Sequence, residues 1–249
     1  MTAAPSEHPV VLITGAARRV GACIARSVHA AGYDVALHCR NSRRELDALI
    51  ADLETTRARS TLALQADLAD AALLPGLIDA TVKKFGRLDG LVNNASAFHA
   101  TPLGTITPAQ WDELFAANAR APLFLAQAAA PQLAARRGAI VNLVDIYAQR
   151  PLPQHSVYCM AKAALAMATL ALAQELGPNV RVNGVAPGAV LWPESGKAYV
   201  DRTALIARTP LQRAGSPEDV AGAVLWLLRD APFVTGQIIR VDGGRSLAM

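Results

Sequence analysis

The chain has 249 residues, of which 52% are hydrophobic but only 5% aromatic, and a net charge of +4. That length suits one α/β domain, residues 1–249, with a core built from Ala, Val, Leu and Ile. The charge sits on scattered arginines with no basic stripe, which argues against a nucleic-acid partner, and no uncharged apolar run reaches the ~18 residues of a membrane span. The N-terminal "MTAAPSEHPV" lacks the basic-then-apolar pattern of a secretory signal. Cys23, Cys39 and Cys159 are too scattered for a disulfide framework or a metal site, so the expectation is a cytoplasmic protein that holds no metal.

The first predicted strand, Val10–Thr14, runs into Gly15, Gly21 and a helix over Val20–Ala31. Glycines here permit a tight turn and a close approach of pyrophosphate, and the helix start offers free N–H groups. Arg18 and Arg19 lie inside this turn with Val20, and Arg19 is placed to reach a phosphate. The second strand, Asp34–His38, finishes in "HCRNS". An acid at that end would hold a free ribose 2′-hydroxyl, but Asp34 begins the strand and so lies at the wrong end. His38, Arg40, Asn41 and Ser42 form a cationic, hydrogen-bonding set suited to a 2′-phosphate, which predicts NADPH rather than NADH.

A helix over Arg43–Thr55 leads to the third strand, Thr61–Gln65. After it, Asp67 is able to accept from an adenine amino group or to cap a helix, with Leu68 behind the ring. A helix over Ala71–Phe85 and a strand over Asp89–Val92 follow, and "NNAS" then puts Asn93, Ala95 and Ser96 at the carboxyl edge, with Phe98 in the loop beyond. A helix over Pro108–Ala135 carries Asn118, and a strand over Ala139–Val144 ends at Asp145. The remaining predicted elements are a helix over Tyr158–Leu176, a strand over Val180–Val185, a helix over Pro217–Leu228 and a strand over Gln237–Val241. Pro187 and Gly188 should pass the nicotinamide, and the irregular stretch 190–209, with Leu191 and Trp192, reads as a substrate flap. Strands that are continuous apolar runs separated by helices make a parallel, doubly wound α/β sheet.

Tyr158 and Lys162 are four apart, on one face of a helix. A phenol with a pKa near ~10 is a poor acid–base catalyst at neutral pH. A neighbouring ammonium stabilises its phenolate and lowers that value, and Asn118 is available to complete a proton path. Asp145 is the unusual member, because an ionised carboxylate only accepts hydrogen bonds.

Taken together, "TGAARRVG", "NNAS", Asn118, "YCMAK" and "VNGVAPG" resemble the short-chain dehydrogenase/reductase family over essentially the whole chain. The resemblance implies a single Rossmann-like domain with a seven-stranded sheet, and a homotetramer. Most of that family has a serine where Asp145 stands. The departure is similar to the pteridine reductase branch, which resembles "HCRNS", "NNASAF" and "NLVD" as well. That branch implies an NADPH-dependent reduction of dihydropterins, and of oxidised pterins or dihydrofolate. Arg19 would contact phosphate or substrate, His38, Arg40 and Ser42 would surround the 2′-phosphate, and Ser96 would hydrogen-bond the ligand. Phe98 would stack on the flat ring, Leu191 and Trp192 would close over it, and Asp145, Tyr158 and Lys162 would perform the chemistry. Two rivals remain: a carbonyl or 3-oxoacyl reductase of the same family, against which Asp145 argues, and a non-catalytic NADP(H)-binding sensor, against which Tyr158 and Lys162 argue.

Overall fold

Seven short runs of small and branched apolar residues pair into one parallel sheet in the computed structural model, which describes residues 6–190 and 202–248. The strands are β1 (Val10–Ile13), β2 (Asp34–Cys39), β3 (Thr61–Gln65), β4 (Gly90–Asn93), β5 (Ala139–Leu143), β6 (Arg181–Pro187) and β7 (Ile238–Val241), ordered β3-β2-β1-β4-β5-β6-β7. Val11 sits beside Val35 on one side and Gly90 on the other. The helices are α1 (Arg19–Ala30), α2 (Arg43–Thr56), α3 (Leu74–Phe85), α4 (Pro108–Phe115), α5 (Ala121–Ala134), α6 (Ser156–Leu176), α7 (Arg202–Ala207) and α8 (Pro217–Arg229).

Alternation along β1 sends side chains to opposite faces. Val11 and Ile13 join Ile24 and Val28 of α1 and Val224 and Leu227 of α8. Val10 and Leu12 join Leu74 and Leu77 of α3 and Leu125 and Leu133 of α5. The sheet is therefore covered on both faces, which is why its strands read as unbroken apolar runs. The chain leaves β1 towards β2 and β3 but places β4 on the other side, so a crevice opens beyond the carboxyl ends of β1 and β4.

One predicted helix is divided. Pro108–Ala135 is not continuous: a π-helical segment, Ala116–Arg120, separates α4 from α5 and carries Asn118. By length and composition α6 would reach across a bilayer, but half of that stretch is buried within the protein, and it carries Lys162.

Candidate active site

The crevice is a cleft of about 900 Å³ that runs from the end of β2 past Gly15 to Tyr158. Its floor is the turn after β1. Gly15 has φ +62°, and a Cβ there would lie 2.9 Å from the backbone of Ala95. A Cβ on Gly21 would lie 2.1 Å from the Gly15 carbonyl oxygen, so only glycine lets α1 pack on this turn. The loop after β4 braces it: the backbone N–H groups of Asn94 and Ala95 each donate to Thr14 Oγ1 at 3.0 Å, and Asn94 Nδ2 donates to the carbonyls of Thr14 and Gly15. The side chain of Arg18 caps no N–H, and the first turn of α1 holds no acid. Such a helix start suits an anion, and Arg18, Arg19 and Val20 line the cleft around it. These residues fit the pyrophosphate of a dinucleotide.

Arg40, Asn41 and Ser42 line the next part, with Asp67 and Leu68 opposite. Asp67 Oδ1 accepts from the N–H of Ala69, so it shapes the turn after β3 while facing the cleft. Asp34 lies at the far end of β2, held by Arg57 and Ser6. His38 lines the cleft with Arg40, Asn41 and Ser42, as expected of a site residue, but not as a cation. It is buried, its Nδ1 accepts from the Gly15 N–H at 3.3 Å, and its Nε2 meets the Ala66 carbonyl at 3.1 Å. An N–H can only donate and a carbonyl only accept, so these partners define the neutral tautomer with the proton on Nε2. Burial lowers its pKa further. His38 pins the glycine turn to the loop after β3.

The end of the cleft that holds the candidate catalytic residues is assembled by β5 and α6. Asp145 follows β5 and caps a short 3-10 turn, its Oδ1 accepting from the Tyr147 N–H at 2.9 Å. Its Oδ2 accepts from the Tyr158 hydroxyl at 2.7 Å. Lys162, one turn along α6, is buried, donates to the Leu143 carbonyl at 2.8 Å, and sits 5.8 Å from the centre of the Tyr158 ring. Burial pushes the Asp145 carboxyl up, outweighing the hydrogen bonds from Tyr147 and Tyr158 and the charge of Lys162. Burial also lowers Lys162 to about 8, against the opposing pull of Asp145. Burial thus disfavours the charged form of each group.

Phe98 lines the cleft next to this pair. Its ring stacks on His155 at 4.8 Å and meets Tyr158 edge-on at 4.7 Å. The loop that carries it is tied to the start of α6, because the Thr101 N–H donates to the Gln154 carbonyl at 2.6 Å. Ala95, Ser96 and Gly188 line the cleft as well.

Four expected residues lie behind the cleft wall. Asn93, the last residue of β4, is buried and donates to Asn142 Oδ1 at 2.8 Å; Asn142 in turn donates to Thr169, so this ladder fixes α6 to the sheet. Asn94 takes the cleft position instead. Asn118 is fully buried, donates to the carbonyls of Ala97 and Leu114, and accepts from Ser96 Oγ at 2.7 Å, which positions Ser96. Lys162 lies beneath Tyr158, and Pro187 ends β6 just before Gly188. Leu191 and Trp192 lie outside the described residues, but Val190 and Leu205 on either side of them line the cleft. Sequence reasoning missed Tyr147, His99 and Glu113, all on the wall. Burial raises the pKa of the Tyr147 phenol, against the charge of Arg245. Among the described residues no three His, Cys, Asp or Glu side chains come together as metal ligands.

A family model described as enoyl-(acyl carrier protein) reductase matches residues 15–246. The chain is 37% identical to pteridine reductase 1 of Leishmania tarentolae, covering 99% of each protein. It is 36% identical to L-xylulose reductase of Caenorhabditis elegans, covering 95% of each. It is 33% identical to 3-oxoacyl-(acyl-carrier-protein) reductase of Staphylococcus aureus, covering 94% of this chain and 96% of that protein.

Proposed function

The chain belongs to the short-chain dehydrogenase/reductase family of nicotinamide-dependent oxidoreductases, and on that premise we propose that it is an NADPH-dependent pteridine reductase converting dihydropterins to their tetrahydro forms. The observation that carries this reading is the 2.7 Å hydrogen bond from Tyr158 to Asp145. A serine at position 145 would offer a hydroxyl to a ketone oxygen. An aspartate with a raised pKa instead supplies a proton through a phenol, which suits a ring C=N bond.

A bound nicotinamide supplies the hydride, which goes to the ring carbon, and the neighbouring ring nitrogen needs a proton. Tyr158 delivers that proton from its hydroxyl. Its phenolate is stabilised by the Lys162 ammonium held at the Leu143 carbonyl. Asp145 restores the phenol across their hydrogen bond and refills from solvent at the cleft. Phe98, held by His155, offers an aromatic wall for a flat bicyclic ring.

NADPH is favoured because Arg40, Asn41 and Ser42 line the cleft at the end of β2 while Asp34 is committed at the other end. A homotetramer is favoured by the exposed Leu123 and Phe124 of α5 and Met160, Met167 and Leu170 of α6. The second reading, a carbonyl or 3-oxoacyl reductase, draws on relatives at 36% and 33% identity. NADPH oxidation with dihydrobiopterin and with an acetoacetyl thioester separates the two. The pterin reading expects kcat/KM at least about tenfold higher for dihydrobiopterin; the reverse order supports the carbonyl reductase.

A further inference from the structure

Charge is unevenly distributed along the cleft. Arg18, Arg19 and Arg40 line it around the glycine turn and the end of β2. The catalytic end is different: Tyr158 touches Phe98, the next residue is His99, and His99 faces Glu113 of α4. Among the described lining residues, those three arginines are the Lys and Arg side chains. His99 Nε2 lies 3.3 Å from Glu113 Oε2, yet the pair is off the hydrogen-bond line and that buried nitrogen has no hydrogen-bond partner. The Glu113 side chain remains 51% exposed, so its carboxylate keeps room to accept from a bound molecule.

Resting on the pterin reading above, we infer that His99 and Glu113 form the subsite for the substrate's side chain, and that Glu113 selects a dihydropterin with an uncharged, hydroxylated side chain over one with a glutamate tail. A carboxylate accepts hydrogen bonds from hydroxyls. It repels the tail carboxylates of a folate. One like-charge contact in a water-filled mouth changes relative specificity about fivefold, and salt screens it.

The test is kcat/KM for dihydrobiopterin and dihydrofolate in the unaltered enzyme, Glu113→Gln and Glu113→Lys, with Asp79→Asn on the exposed side of α3 as the control. The ratio of dihydrobiopterin to dihydrofolate should fall about fivefold in Glu113→Gln and further in Glu113→Lys. High salt should lower the ratio in the unaltered enzyme but not in Glu113→Gln. A ratio that both variants leave within about twofold, or that Asp79→Asn shifts equally, overturns the inference alone. An enzyme that reduces neither compound overturns the pterin reading and this inference with it.

Discussion

Tyr158 donates its hydroxyl hydrogen to Asp145 Oδ2 at 2.7 Å, joining the first turn of α6 to the residue that caps the turn after β5. The two partners come from separate elements, so their contact depends on how α6 is seated. The Asn93–Asn142–Thr169 ladder fixes that seating from inside the sheet. Lys162 lies beneath the phenol, and Asp145 and Tyr158 both line the cleft.

Removing the phenolic oxygen alone tests the proton donor. In Tyr158→Phe the ring contact with Phe98 can persist, and stability should fall by only about 1 kcal/mol for the lost hydrogen bond. Turnover should fall by about 10²–10⁴-fold, the usual contribution of a positioned acid. NADPH affinity, read by fluorescence titration, should stay within about threefold. Undiminished turnover would remove Tyr158 from the mechanism.

The pH profile reports on Lys162. Only its charged form stabilises the phenolate, and burial has lowered it from 10.5 to about 8. The kcat/KM of the free enzyme should therefore decline as pH rises through about 8. Unfolding does not explain such a decline through this group. Its depressed pKa means that the unfolded chain binds the extra proton between about 8 and 10.5, so its contribution to stability rises over that window. Thermal unfolding followed across the same pH range separates the two effects.

Substitution of Arg40 tests the proposed preference for NADPH over NADH. A charge-assisted contact to a 2′-phosphate is strong, and Arg40 lines the cleft at the end of β2. Arg40→Ala should raise the KM for NADPH about tenfold or more and leave the KM for NADH nearly unchanged. Equal effects on both cofactors would show that Arg40 acts on something they share.

The sheet and the placing of Tyr158 beside Lys162 were legible because their signals are local. Unbroken apolar strands, Gly15 and Gly21 beside a helix start, and Tyr158 four residues before Lys162 follow from spacing. Asp34 was also legible, since its position at the start of β2 removes it from the cofactor end. What escaped depended on register or distant partners. "NNAS" does not say whether Asn93 or Asn94 faces the cleft, because β4 ends between them. His38 reads as a cation in sequence, but its two ring nitrogens are occupied by Gly15 and Ala66, from other parts of the chain. Glu113 looks like an ordinary surface acid of α4 until the loop after β4 brings His99 to it. The π-helical segment at Asn118 falls inside a stretch that reads as one continuous helix.

The most direct test of the central claim is Asp145→Ser, which gives this chain the hydroxyl that most of its family carries. With NADPH as donor, kcat/KM for dihydrobiopterin should fall about 10²-fold or more while NADPH binding stays intact. Unchanged pterin turnover in that variant would contradict the account, because the carboxylate beside Tyr158 would then have no part in the reaction.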